Sequence, residues 1–238
     1  MTRSLQINYE TRLLLVDDAF FEKHISHFKL QKQPDDPQDM RFVILDDIKV
    51  AKLIRATKNS RNAISITAPR LTAFNAQNAY SYIQRQVSYV HKITKVKHDA
   101  GFKYDPQLKV AEPGVTMEVY GVISADRRYI TGHFRSIIRH VSKPVRVAFD
   151  DGPADQKLYT EEVDIDSWQR RITVSVPDLA TLLITGKQKI RVPQLPDGFG
   201  NSEKFEKPMR VVVLIKPTII LMTKEKAMNF PGLDKVPR

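Results

Sequence analysis

Residues 115–139 read VTMEVYGVISADRRYITGHFRSIIR, and this stretch decides the fold class. From Val115 to Ile123, an extended chain carries Val115, Met117, Val119, Gly121 and Ile123 on one side and Thr116, Glu118 and Tyr120 on the other. Side chains alternate across a strand, so this two-residue period predicts a strand with one buried face. Ser124-Ala-Asp-Arg-Arg128 breaks the run. The alternation then resumes, with Ile130, Gly132, Phe134, Ser136 and Ile138 facing one way and Thr131, His133, Arg135 and Arg139 mostly the other. Two alternating runs around a short polar break predict a hairpin.

Toward the C-terminus the same period recurs. Arg171 to Val176 sets Ile172, Val174 and Val176 against Arg171, Thr173 and Ser175, and Pro177-Asp178 offers a turn before Thr181 to Ile184. A second hairpin is the expectation. Val211 to Met222 is apolar on both faces apart from Lys216 and Thr218, which predicts cover on both sides. Pro217 cannot donate to a ladder and predicts a bulge or an edge position.

Toward the N-terminus the pattern changes. Leu5 to Val16 has strand character, and Asp17-Asp18 supplies a capping oxygen and negative charge for a short helix with Phe21, Ile25 and Phe28 on one face. Gln33 to Asp39 reads as an acidic, proline-containing loop, and Arg41 to Leu45 as a short strand. A second helix begins at Asp46-Asp47, with Ile48, Ala51 and Ile54 expected on its buried face and Lys52, Arg55 and Lys58 in its later turns. None of the nine glycines falls within the first 100 residues. The expected organisation is therefore mainly β: a small α/β unit over residues 1–60, followed by a β-rich domain over 61–238.

Of the 238 residues, 42% are hydrophobic, enough for a sizeable core, and the formal net charge is +11. Such a surface attracts phosphates, anionic lipid headgroups or acidic protein faces. There is no cysteine, which excludes disulfides, thiolate zinc sites and a cysteine nucleophile. The longest unbroken apolar run, Val211 to Ile215, is far short of the roughly 20 residues of a membrane-spanning helix. The N-terminal residues have no apolar stretch of signal-peptide type, so no export signal is expected in this chain.

Catalytic chemistry finds little support. His24 and His27 share helical spacing without a third ligand, and the HExxH pattern of zinc proteases is absent. The pairs Asp17-Asp18, Asp46-Asp47 and Asp150-Asp151 are adjacent in sequence, which suits caps and turns better than a scissile bond. There is no G-x-S-x-G elbow, and the glycine-free first 100 residues hold no phosphate-binding loop. No catalytic, cofactor or metal site is expected. Asp197-Gly-Phe-Gly200 shares a G-F-G centre with RNA-recognition strands but lacks their flanking residues, so a loop is expected there. The basic residues are spread along the chain, and nucleic acid is not the expected partner.

Ala68-Pro-Arg-Leu-Thr-Ala-Phe-Asn-Ala-Gln-Asn-Ala79 resembles a motif of the secretins, the outer-membrane channel proteins of type II and III secretion systems. Residues 7–28, 115–130, 172–186 and 211–220 resemble further secretin blocks, in family order. The resemblance implies a β-rich protomer whose strands complete a barrel in a homo-oligomeric ring. It also implies an outer-membrane location, a secreted protein or other macromolecule as cargo, and inner-membrane secretion components as further partners. The positions it marks as structural are Pro69, Asn75, Gln77 and Ala79 at the first core turn; Asp126, Arg127 and Arg128 at the hairpin bend; Pro177 and Asp178 at the next turn; and Pro217 near the last strand. Turn residues of any β domain would read the same way. Three departures stand out: Ala76 and Leu179 occupy positions where the family has glycine, and Thr185-Gly186 replaces a glycine pair. Since φ > 0 is disfavoured for Ala and Leu, altered turns are expected there. Residues 192–198 resemble a degraded gate-side motif. The alternatives are a monomeric basic β-rich adaptor or nucleic-acid-binding module and, third, a hydrolase on an unfamiliar fold.

Overall fold

The stretch at 115–139 folds as two directly paired strands, and the rest of the chain is arranged around them. The computed structural model describes residues 5–34, 36, 39–99, 101–150, 152, 157–193 and 206–221. In chain order the first elements are β1 (Leu5–Val16), α1 (Asp18–His24), β2 (Gln31–Lys32), β3 (Arg41–Leu45), α2 (Asp47–Lys58), β4 (Ala63–Thr67), β5 (Arg70–Phe74) and β6 (Asn78–Gln84). They are followed by β7 (Val87–His98), β8 (Gly101–Ala111), β9 (Gly114–Ile123), β10 (Tyr129–Val141), β11 (Val145–Ala148) and β12 (Tyr159–Glu162). The last four are β13 (Ile165–Pro177), β14 (Thr181–Thr185), β15 (Lys189–Pro193) and β16 (Glu206–Leu221).

Two sheets stack. One has the antiparallel order β13-β10-β9-β6; the other runs β2-β3-β14-β16-β1-β4, with β15 also pairing β16 and β5 also pairing β1. Between them lie Ile7, Tyr9 and Leu13 of β1, Val211, Val213 and Ile215 of β16, and the inward row Val115, Met117, Val119, Ile130, Phe134, Trp168 and Ile172 of the four-stranded sheet. The opposite face of the larger sheet presents Leu14, Leu183, Val212 and Leu214 to Phe20, Phe21 and Ile25 around α1 and to Leu53 of α2. The molecule thus has three layers, and β16 is covered on both faces, which is why its sequence is apolar without alternation. Each such fully buried aliphatic side chain contributes about 1.5–3 kcal/mol.

The helices begin as their capping residues dictate. Asp17 accepts a hydrogen bond from the Phe20 amide at 2.8 Å, and Asp46 from the Lys49 amide at 2.8 Å. The buried face of α2 differs from the expected one. Ile48 is 70% exposed and Ala51 is exposed, whereas Leu53 and Thr57 are buried with Val50 and Ile54 beside them. Both rows have helical spacing, and the choice between them falls to the sheet surface below. Hydrogen bonding also crosses the expected boundary between residues 60 and 61, because β1 lies between β16 on one side and β4 and β5 on the other.

The expected second hairpin does not form. β13 pairs with β10, whereas β14 pairs with β3 and β16, so the turn after Pro177 carries the chain from one sheet to the other. Every residue of β14 is buried, a condition met in the middle of a sheet covered on both faces and not in one with a solvent face. Pro217 stands opposite Tyr9 of β1, and the Ile219 amide points the other way, past the start of β14, to Asp178 Oδ1 at 2.9 Å. The missing Pro217 donor faces the same uncovered side, an edge position. Residues 194–200, with most of the gate-side resemblance and the Asp197–Gly200 loop, lie outside the described residues.

Candidate assembly surface

Most of the residues singled out in the sequence gather at one end of the sandwich, in three neighbouring turns; Pro69, expected at the first of them, lies instead in the β4–β5 link beside Thr11, and Pro217 stands opposite Tyr9. Asn75 and its neighbours carry the chain from β5 in the larger sheet to β6 in the smaller. The Asn75 amide donates to Leu5 O at 2.9 Å, the Ala76 amide to Gly121 O at 2.8 Å, and Asn75 Oδ1 accepts from the Ile123 amide at 2.8 Å. Gln77 Oε1 accepts from the Phe74 amide at 3.2 Å, and Pro69 O accepts from the Thr11 amide at 3.0 Å. Ala79 lies opposite Val119 and packs half-buried against the core.

The β9–β10 turn comes next. Asp126 Oδ1 accepts from the Ser124 hydroxyl at 2.6 Å and the Arg128 amide at 3.2 Å, bonds that hold its carboxyl below the ordinary range. Arg127 takes a left-handed φ of 58° there. The third turn joins on: the Asp178 amide donates to Arg128 O at 2.8 Å, while its side chain holds the Ile219 amide. Asn75 and Asp178 therefore sit at the two places where the chain changes sheets, and the hairpin turn lies between them. These contacts close the end of the sandwich; Pro217 lies further along β16, and none of these groups forms a catalytic constellation. Among the described residues, no three His, Cys, Asp or Glu side chains converge on a metal position.

Past the other end of the smaller sheet, two hairpins run on. The β6–β9 pairing continues through Arg85 N to Pro113 O into a β7–β8 ribbon, and the β10–β13 pairing continues through Ser142 N to Asp164 O into a β11–β12 ribbon. Among the described residues, neither ribbon has a third strand in its ladder. Phe102 (58% exposed), Leu108 (66%), Val110 and Val145 are open to solvent on them. The outermost strands at the base, β6 and β13, continue into the two that meet near the roots of the ribbons: Glu161 Oε2 of β12 accepts from the Val90 amide of β7 at 2.9 Å. That contact sits at a register irregularity between Val90 and Lys92. Tyr104 meets Phe149 edge-on at 6.3 Å, and Lys95 Nζ lies 4.4 Å from the centre of the Phe102 ring.

The ribbons were missed in the sequence because neither face is consistently buried, so apolar and polar residues do not alternate. The available signal was compositional: Val87, Tyr89, Val90, Ile93, Thr94 and Val96, then Asp99-Ala-Gly101, then Phe102 and Tyr104. At the base, β6 and β13 border the smaller sheet. The start of β13 is partly covered, since Asp166 accepts from the Arg191 amide at 2.9 Å and Ser167 O from Gln188 at 2.8 Å. In a single copy the sheet is open at both borders and the ribbons do not close into a barrel.

Comparison with known proteins adds the following. No protein-family profile matches the chain, and no curated protein matches it. Among solved structures, the likeness is to secretins. The chain is similar to the V. cholerae type IV competence pilus secretin PilQ, at 12% identity over 93% of this chain and 62% of that one, with a TM-score of 0.36. It is similar to the type II secretin GspD of enteropathogenic Escherichia coli, at 14% identity over 96% of this chain and 72% of that one, TM-score 0.41. The InvG secretin-domain β-barrel of the Salmonella SPI-1 injectisome gives 13%, 98%, 71% and 0.39. The chain thus spans less than two thirds of the PilQ secretin's length.

Proposed function

We propose that this chain is a non-enzymatic subunit of a secretin-like, ring-forming outer-membrane channel for macromolecules. One observation carries the reading: a long hairpin, β7–β8, and a shorter one, β11–β12, leave the sandwich with no further strand in their ladders among the described residues and with apolar side chains exposed. Exposed apolar rows are costly in water and suit lipid, whereas unpaired backbone groups are untenable in lipid; a closed circle of neighbouring copies in a membrane satisfies both. β7 and β8 have 12 and 11 residues, which suits a barrel wall of strands about 9–11 residues long in the membrane. On this reading the three-turn end is a rigid base, and the hairpins are what neighbours share. The test is particle size: the chain, expressed with an added export signal and extracted in detergent, is expected to give large rings by sedimentation and negative-stain imaging. A stable monomer of 238 residues in detergent overturns the proposal.

A second reading, a basic β module that binds nucleic acid as a monomer, draws on the solvent face of the smaller sheet. Tyr80 and Tyr82 stack there at 6.4 Å, and Arg171 lies directly opposite Arg135, whose charge is already matched by Glu118 at 2.9 Å. It requires a small particle whose affinity for oligonucleotides falls steeply with salt.

A further inference from the structure

The helical face holds a concavity unrelated to ring closure. The end of α1 and the residues after it, β3 and α2 surround a cleft of about 620 Å³, within the size range of ligand sites. Its rim carries His24, His27, Lys29, Lys49 and Lys52, and among the described residues no acidic one lines it. Lys49 is held by Asp46 at 2.7 Å, while Lys29 and Lys52 are exposed and form no ion pair among the described residues. The floor is apolar, with Phe28, Val43, Leu45 and Leu53.

A strand edge opens beside the same cleft. β2 covers only Arg41 and Phe42 of β3, whereas β14 covers the other side along its whole length. Gln33 N donates to Met40 O, so the even-numbered residues of this segment turn their backbone groups toward β2. Ile44 is the next in that series, lies beyond the end of β2, and is 37% exposed. An unpaired strand edge next to a cationic, apolar-floored cleft matches an extended peptide that adds as a strand and alternates acidic and apolar side chains.

We infer that this cleft is a docking site for an extended acidic segment of a partner protein, which pairs with the backbone of Ile44, seats an apolar side chain on the floor and directs carboxylates to Lys29 and Lys52. Charge complementarity selects that occupant: a basic segment would meet the like charges of Lys29 and Lys52.

The probe is a fluorescein-labelled peptide, Glu-Val-Glu-Leu-Glu-Asp, read by anisotropy on the full chain, with Lys-Val-Lys-Leu-Lys-Asn as control. The acidic peptide is expected to bind and the control not to. Lys29→Glu/Lys52→Glu is expected to weaken binding at least tenfold, and Ile44→Pro, which leaves the β14 ladder intact and all charges unchanged, by a similar factor. Lys143→Glu/Lys157→Glu, on exposed sites outside the cleft lining, is expected to change it less than twofold. Circular dichroism checks that each variant folds. Unchanged affinity in Ile44→Pro, or equal loss in the remote charge reversal, overturns the site, because either result means attraction to bulk charge. Binding of phosphatidylglycerol vesicles that the cleft reversal abolishes, without any peptide binding, assigns the cleft to lipid and likewise overturns it.

Discussion

Ala76 and Leu179 hold φ values of 63° and 67°, in the left-handed region that favours glycine. Although φ > 0 is disfavoured for Ala and Leu, the backbone takes the left-handed geometry at both, and the side chains are tolerated at some cost. Both residues sit where the chain changes sheets, and the hydrogen bonds of Asn75 and Asp178 hold the geometry in place. A left-handed non-glycine residue costs roughly 1–2 kcal/mol, part of which a glycine regains at the expense of a more flexible unfolded chain. Ala76→Gly and Leu179→Gly are each expected to raise the urea midpoint, by up to about 1 kcal/mol of stability. A second residue-level constraint is the facing pair Gly121 and Gly132. A Cβ on Gly121 would overlap the Tyr9 hydroxyl and come within 2.9 Å of Ile7 Cδ1. That hydroxyl is buried without a hydrogen-bond partner among the described residues, and burial raises its pKa. Tyr9→Phe is therefore expected to stabilise by about 1 kcal/mol. Gly121→Ala is expected to destabilise by about 1–3 kcal/mol, with part of the loss recovered in the Tyr9→Phe background, as a double-mutant cycle would measure. The sequence places Gly121 in the buried row; that the row needs glycine there depends on a residue more than 100 positions away, which no local pattern contains.

Both helices are pinned to β16 through their first turns. Arg210 Nη2 reaches Asp18 at 3.1 Å while its guanidinium stacks 4.1 Å from the Phe21 ring, and Lys216 Nζ reaches Asp47 at 2.7 Å. Lys216, which interrupts an otherwise apolar run, is thereby explained: it meets the negative charge that favours the start of α2. Hydrogen bonds from Lys189 and then Arg210 hold the Asp18 carboxyl below its ordinary value. Its contribution is present above the unfolded value of 3.8 and is lost as pH falls through the lower folded one. Asp18→Asn is expected to reduce stability at pH 7 by less than about 1 kcal/mol, because the group is largely exposed, and the difference from the parent is expected to shrink as pH falls below 3.8. Asp17→Ala, which removes the cap of α1, is expected to cost about 1–2 kcal/mol in urea unfolding at pH 7. Caps and strands of this kind are legible because their signals are local: Asp before a helix, period two in β9 and β10. The orientation of α2 and the destination of β14 are not, since each depends on which surface is available to cover it.

The assembly reading makes a prediction that separates folding from function. Val87 and Ala111 face each other at the root of the β7–β8 ribbon, so residues 88–110 can be replaced by Asn-Gly without opening the sandwich. This variant is expected to retain cooperative unfolding by circular dichroism yet fail to form large particles in detergent; intact rings would show that the ribbon is dispensable. The ribbons escaped the sequence reading for the same reason that they matter here, because their faces find no partner within the chain. They also carry devices that discourage casual pairing: Lys92, Lys95, Lys97, Lys103 and Lys109 stud the two strands, Pro106 removes a donor from β8, and the irregularity after Val90 distorts β7. If copies assemble as proposed, repulsion between such lysines would keep newly made ones apart while they are dilute, and only a crowded, correctly aligned circle would outweigh it. The timing of assembly would then be set by local concentration instead of by the folding of each chain.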